Sequence, residues 1–226
     1  MNQINKVAVV DDDDEAAMTM IHTLEDAGFV AFRQPAFDTI QQMADAIIEG
    51  SDAAVCDHRL RYGAYADITG AQLGAELVRR QHPTILVTQY LDQYADIAIR
   101  SYRSNLPVVL RRDEADEPES LRAGFARCIN EFRRGKIDDR KLHKTILKVK
   151  EIQSIGGEVV IDAIVHGWNS KDAVRFPMEL VAEGDRASVC ENSSLEAMTN
   201  VSTETKVDLY FEDVRLAPEP DPDDGL

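Results

Sequence analysis

Five short apolar runs divide the first ~135 residues: Val7–Val10, Val30–Phe32, Ala53–Cys56, Ile85–Val87 and Val108–Leu110. Each is too short for a helix and almost wholly apolar, so each reads as a buried strand. Helical periodicity fills the spaces between them. Asp14 stands where a cap belongs, Ala17, Ile21 and Leu24 share a face, and Gly28 supplies a stop. Phe37, Ile40, Met43 and Ile47 form a second face closed by Gly50, and Leu73, Ala75, Leu77 and Val78 follow Gly70. A weaker helix is expected from about Asp92 to Tyr102, and Leu121, Phe125, Cys128, Ile129 and Phe132 mark a fifth, ended by Gly135. Strands alternating with helices in this way predict a doubly wound parallel α/β sheet with helices on both faces. Sites in such sheets form outside the carboxyl ends of the strands.

Those ends are acidic. Four consecutive aspartates, Asp11 to Asp14, close the first run, and Asp57 closes the third. Carboxylates gathered at a buried edge repel one another and invite a cation. Asp13 and Asp14 fit a helix start, where the positive N-terminal dipole favours carboxylates. Asp11, Asp12, Asp57 and the strand-end hydroxyl of Thr88 are then left around one pocket. Cys56 reads as a small buried hydrophobe. His58 reads as an exposed loop residue, and Arg111 as a solvent-facing strand residue.

These motifs resemble the receiver domain of two-component response regulators (CheY-like) over residues 5–134. Val9–Asp12 resembles the family's acidic metal-binding pair, Asp57 its phosphoacceptor, and Thr88, in Ile-Leu-Val-Thr, its hydroxyl. Arg112, in Val-Leu-Arg-Arg-Asp, falls where the family carries a lysine. The resemblance implies a flavodoxin-like strand order of 2-1-3-4-5 and Mg²⁺ held by Asp11, Asp12, Asp57 and the backbone carbonyl of Arg59. It also implies a sensor histidine kinase or phosphotransfer protein as partner, and it allows a homodimer. Gln89 stands where the family has a small residue, Arg61 replaces a proline, Val109 replaces a switch aromatic, and the loop from His58 to Thr69, with Tyr62, Gly63 and Tyr65, is longer than usual. These departures leave a second reading open: a pseudo-receiver or scaffold that binds partners without phosphorylation.

Past Gly135 the pattern changes. Residues 1–134 are expected to form the receiver-like domain, 135–144 a linker, 145–216 an all-β output domain and 217–226 an acidic, Pro-rich tail. Ile146–Val149, Val159–Val165, Val174–Phe176, Met178–Val181, Ala187–Cys190 and Val207–Phe211 read as short strands, and Ser194–Met198 as a turn or short helix. Turn signals such as Gly156-Gly157 separate them, predicting a small barrel or sandwich. Trp168, at a turn, reads as a core plug or an interface anchor, with the core favoured. His166, Asp162 and Ser188 lack the spacing of a catalytic set, so no enzyme activity is expected beyond self-phosphorylation and its reversal.

Charge narrows the partners. The net charge of -16 repels phosphate backbones, and no helix-turn-helix pattern is present, so nucleic acid is disfavoured. Arg133-Arg134-Gly135-Lys136 reads as a solvated helix end. Three scattered cysteines without CxxC disfavour disulfides and structural zinc. The opening residues read as a strand rather than a leader, and no apolar run approaches the ~20 residues that span a bilayer. The expectation is a cytoplasmic protein whose β domain binds a protein target, by strand addition at its sheet edges.

Overall fold

The computed structural model describes residues 3–60, 68–89 and 95–218. The chain forms two compact units, Met1–Gly135 and Lys136–Leu226. Arg61, Tyr62, Gly63, Tyr65, the first residues of the helix expected from Asp92, and most of the acidic tail lie outside the described residues.

In the first unit the strands are β1 (Lys6–Val10), β2 (Val30–Arg33), β3 (Ala53–Asp57), β4 (Thr84–Thr88) and β5 (Val108–Arg111). The helices are α1 (Asp14–Asp26), α2 (Ile40–Gly50), α3 (Gly70–Arg79), α4 (Ala95–Arg100), α5 (Arg112–Ala115) and α6 (Pro118–Arg134). The strands are parallel and ordered β2-β1-β3-β4-β5, as expected. The one-turn α5 directly after β5 was not anticipated.

Alternation along each strand feeds two separate cores. Val7, Val9, Val55, Ile85 and Val87 pack with α1 and α6 on one face. Ala8, Val10, Ala54, Cys56 and Leu86 pack with α2 and α3 on the other. Strands buried on both faces cannot slip by one residue without exchanging the two cores, so the register is firmly set. That register places the strand ends side by side: Val10 pairs with Cys56, Asp57 with Val87, and Thr88 with Arg111.

The second unit holds β6 (His143–Ile155), β7 (Glu158–Val165), β8 (Asn169–Pro177), β9 (Ser194–Thr199) and β10 (Phe211–Leu216). They form one antiparallel sheet ordered β10-β9-β6-β7-β8. The sheet curls on itself. Phe176 of β8 and Phe211 of β10 come from opposite ends of the order, yet their ring centroids are 4.9 Å apart. A bridge between Val181 and Val214, with the Ala182 N–H donating to the Val214 carbonyl at 2.8 Å, ties the chain after β8 to β10. The architecture is barrel-like, closed by a single bridge around Leu147, Val149, Ile161, Ala163, Val165 and Val174.

Several local expectations are corrected here. Ser194–Thr199 is a strand, not a turn or helix, because it completes β6 on the side away from β7. Met178–Leu180, Arg186–Ser188 and Lys206–Asp208 are single 3-10 turns rather than strands. The segment expected as a linker, 135–144, is structured. Gly135 caps α6 at φ +81, Asp138–Arg140 is a 3-10 turn, and β6 starts at His143. Arg140 is buried, its guanidinium lies 5.0 Å from the Tyr210 ring, and the Tyr210 hydroxyl donates to the Arg140 carbonyl. Gly156 and Gly157 make the β6–β7 turn at positive φ, as read from their sequence. Trp168 is partly buried against the core, and its Nε1–H donates to the Thr203 carbonyl at 2.8 Å.

Candidate phosphoacceptor site

Because β1 ends its buried run at Val10, the next side chain, Asp11, emerges at the carboxyl edge of the sheet while remaining only 3% exposed. The aspartate run then divides. Asp13 is the N-cap of α1, its Oδ1 accepting the Ala16 N–H at 2.9 Å. Asp14 is the first helical residue rather than the cap, and it pairs with Arg33. Asp12 stays half-buried and lines the same cavity as Asp11.

Asp57 ends the central strand β3, flanked by β1 and β4. Its Oδ1 accepts the Arg112 Nη2–H at 2.7 Å and its Oδ2 accepts the Arg59 N–H at 2.8 Å. The same Arg112 nitrogen donates to Asp11 Oδ2 at 3.0 Å. The remaining Asp11 oxygen, Oδ1, accepts the Asp13 N–H at 3.0 Å. Burial raises the Asp57 pKa to about 6, and the Asp11 charge adds to it. Arg112 and the Arg59 amide pull the other way without cancelling the rise, and Asp12 reinforces it. The Cys56 thiol is also pushed up by burial and by Asp57, which leaves it protonated and inert, as its apolar surroundings imply.

Thr88 ends β4 at 1% exposure, and Gln89 after it is exposed. Arg112 opens α5, one residue beyond β5, while its neighbour Arg111 is exposed. Asp11, Asp12, Asp57, Arg59, Thr88, Gln89 and Arg112 all line one cavity of about 480 Å³, together with Asp13, Glu15 and Asp116. The structure therefore brings together every site residue named from the sequence.

Two features of the site were missed. His58 is 5% exposed, not an exposed loop residue. Its backbone continues the edge of the sheet, its N–H donating to the Val87 carbonyl at 2.9 Å and its carbonyl accepting the Gly70 N–H at 3.1 Å. Gly70, the first residue of α3, lies directly on the backbone of Asp57. A Cβ there would stand 1.8 Å from the Asp57 carbonyl oxygen and 2.7 Å from its carbon. The available signal was a glycine placed just before a helical pattern. It is explained by close backbone approach rather than by turn geometry.

The donor chemistry fits a hard divalent cation. Asp11, Asp12 and Asp57 are carboxylates lining one cavity at an acidic edge, the oxygen donors such a cation takes. Among the described residues, no three acidic, histidine or cysteine side chains converge on one point, and Arg112 bridges two of the carboxylates. In the second unit, Asp162 is held by Arg175 through two hydrogen bonds, which gives it a structural partner.

No protein-family model and no curated protein matches this chain. Solved structures do. A response regulator receiver domain protein from Clostridium thermocellum is 17% identical, covering 57% of this chain and 98% of its own, with a TM-score of 0.43. A response regulator from Chloroflexus aurantiacus is 23% identical, covering 56% and 99%, with a TM-score of 0.42. A CheY-like receiver domain protein from Methanospirillum hungatei is 19% identical, covering 57% and 99%, with a TM-score of 0.41. Over a little more than half its length, the chain is similar to response regulator receiver domains.

Proposed function

We propose that the first unit is the phosphoacceptor of a two-component response regulator and that Asp57 takes the phosphoryl group. One observation carries this reading. A nucleophilic carboxylate, a buried hydroxyl and a guanidinium reach one cavity from β3, β4 and the start of α5. Phosphoryl transfer needs positioning and charge neutralisation more than covalent chemistry from the protein. An Asp57 oxygen attacks phosphorus, the phosphorus–nitrogen bond of a phosphohistidine breaks, and the imidazole leaves with a proton. The Thr88 hydroxyl donates to a phosphoryl oxygen, and Arg112 pairs with the new anion. Asp11, Asp12, Asp57 and the Arg59 carbonyl would hold Mg²⁺, which supplies charge neutralisation between nucleophile and phosphoryl group. The donor is a sensor histidine kinase or phosphotransfer protein in the cytoplasm. The β unit docks a protein target, and the protein carries out no catalysis beyond its own phosphorylation and dephosphorylation. Among the described residues, no helix is long and apolar enough to cross a membrane.

A second reading, a pseudo-receiver that binds partners without phosphate, is favoured by one feature. Both carboxylate oxygens of Asp57 already accept hydrogen bonds from within the chain. Incubation with Mg²⁺ and a small phosphodonor, followed by intact mass spectrometry, separates the two. The first reading expects a hydroxylamine-sensitive mass gain in the wild type that Asp57→Asn loses. No gain with either the phosphodonor or a cognate kinase leaves the pseudo-receiver.

A further inference from the structure

We propose that Arg112 is a tethered counter-ion that closes the acidic pocket to divalent cations, so that metal enters only as Arg112 leaves Asp57 and Asp11. The inference rests on reading the pocket as the cation site of a phosphoacceptor. It is carried by the oxygen atoms of the two buried carboxylates, each of which has a donor from the chain. Asp57 Oδ2 accepts the Arg59 N–H and Asp11 Oδ1 accepts the Asp13 N–H. The other two, Asp57 Oδ1 and Asp11 Oδ2, accept from the single nitrogen Nη2 of Arg112, at 2.7 and 3.0 Å. That nitrogen occupies the position a cation shared by the two carboxylates would need.

A guanidinium cannot vacate the position by losing its proton, so it leaves only by moving its side chain. The surroundings permit that movement. Arg112 opens a four-residue helix that follows β5, which is an edge strand beside β4 among the described residues. Its side chain is 24% exposed, against 5% for Asp11 and 13% for Asp57. Asp116, one turn further along, lines the same cavity and acts on Arg112 electrostatically, so a second anionic partner is at hand. Among the described residues the lining stays acidic when Arg112 is counted, since Asp11, Asp12, Asp13, Glu15, Asp57 and Asp116 face Arg59 and Arg112. Long-range attraction therefore draws a cation in, and the local bridge opposes its seating. Mg²⁺ insists on near-octahedral oxygen ligands and tolerates no cation at contact distance.

The test is a calorimetric Mg²⁺ titration of the full chain as wild type, Arg112→Ala, Arg112→Gln and Asp57→Asn. Both Arg112 variants should bind Mg²⁺ about tenfold tighter than wild type, within the usual range for two ligands that oppose each other. Asp57→Asn should lose the binding. Equal or weaker binding in the Arg112 variants overturns the proposal, as does no Mg²⁺ binding in any of the four proteins. Arg112→Gln keeps much of the reach and hydrogen bonding without the charge, so the comparison survives if Arg112→Ala does not fold. Phosphodonor labelling of the same samples separates this inference from the phosphoacceptor reading. Labelled wild type with unchanged Mg²⁺ affinity across the Arg112 variants sinks the latch alone. Tighter Mg²⁺ binding in those variants with no labelling in any protein upholds the latch and sinks the phosphoacceptor.

Discussion

The two units use their sheets in opposite ways. The inner strands β1, β3 and β4 of the parallel sheet are buried on both faces, so they are almost wholly apolar and their polar residues stand at the ends. The antiparallel sheet of the second unit packs one face around a single core and leaves the other to carry ion pairs such as Asp162–Arg175 and Lys144–Glu196. In the first case a polar side chain is informative because little else polar is nearby. In the second, polar side chains are the ordinary covering of an outer face. The difference teaches where to look: chemistry concentrates at the strand ends of the parallel sheet, and the curled sheet offers edges and a surface.

The largest expected effect tests how closely the site is packed compared with a turn of the β unit. Gly70→Ala forces a Cβ against the Asp57 carbonyl and should cost about 3 kcal/mol or more in urea unfolding. Gly156→Ala, at φ +61 with nothing within 4 Å of the new Cβ, should cost only about 1 kcal/mol through backbone strain. Equal losses would erase the distinction between backbone packed on the site and a free turn.

A nearly equal effect comes from the charge of Asp57 in metal-free buffer. Its folded pKa of about 6 lies above the ordinary aspartate value. The folded state therefore holds the proton more tightly than the unfolded chain. The resulting stability is fully present below about pH 4 and is lost as pH rises through about 6, a change of roughly 3 kcal/mol. Asp57→Asn should remove that slope and be more stable than wild type at neutral pH. Urea midpoints measured with chelator across this range check it. A wild-type profile that parallels Asp57→Asn would contradict the burial argument.

The smallest effect concerns the β unit. Arg175→Ala removes a partly exposed partner of Asp162 and should cost about 1 kcal/mol with little pH dependence near neutrality. A loss as large as that of Gly70→Ala would show that the outer face of the curled sheet carries more of its stability than this comparison allows.

The contrast also explains what was legible in the sequence. Asp11, Asp57 and Thr88 could be placed because each ends an apolar run, and parallel strand ends gather at one edge. Arg112 could be placed only through its resemblance to a family position, since its partners lie 55 and 101 residues away. The shared Nη2 contact depends on side-chain conformation at the start of α5, which no periodicity records. His58 was misplaced because a histidine beside a loop has no burial signature until the carbonyl of Val87 and the amide of Gly70 take up its backbone groups. In the β unit, Ser194–Thr199 alternates but is only six residues long, and β6 and β10 on either side define it as a strand. Met178–Leu180 looks like a strand by composition, but the chain turns there to bring Val181 to Val214.

The central claim is that the cavity at the carboxyl edge of the parallel sheet accepts a phosphoryl group on Asp57. Intact mass spectrometry after incubation with Mg²⁺ and a small phosphodonor tests it most directly. The account predicts a hydroxylamine-sensitive mass gain in the wild type, absent in Asp57→Asn and unaffected by Arg175→Ala. A gain that persists in Asp57→Asn, or no gain with either the phosphodonor or a cognate kinase, would contradict it.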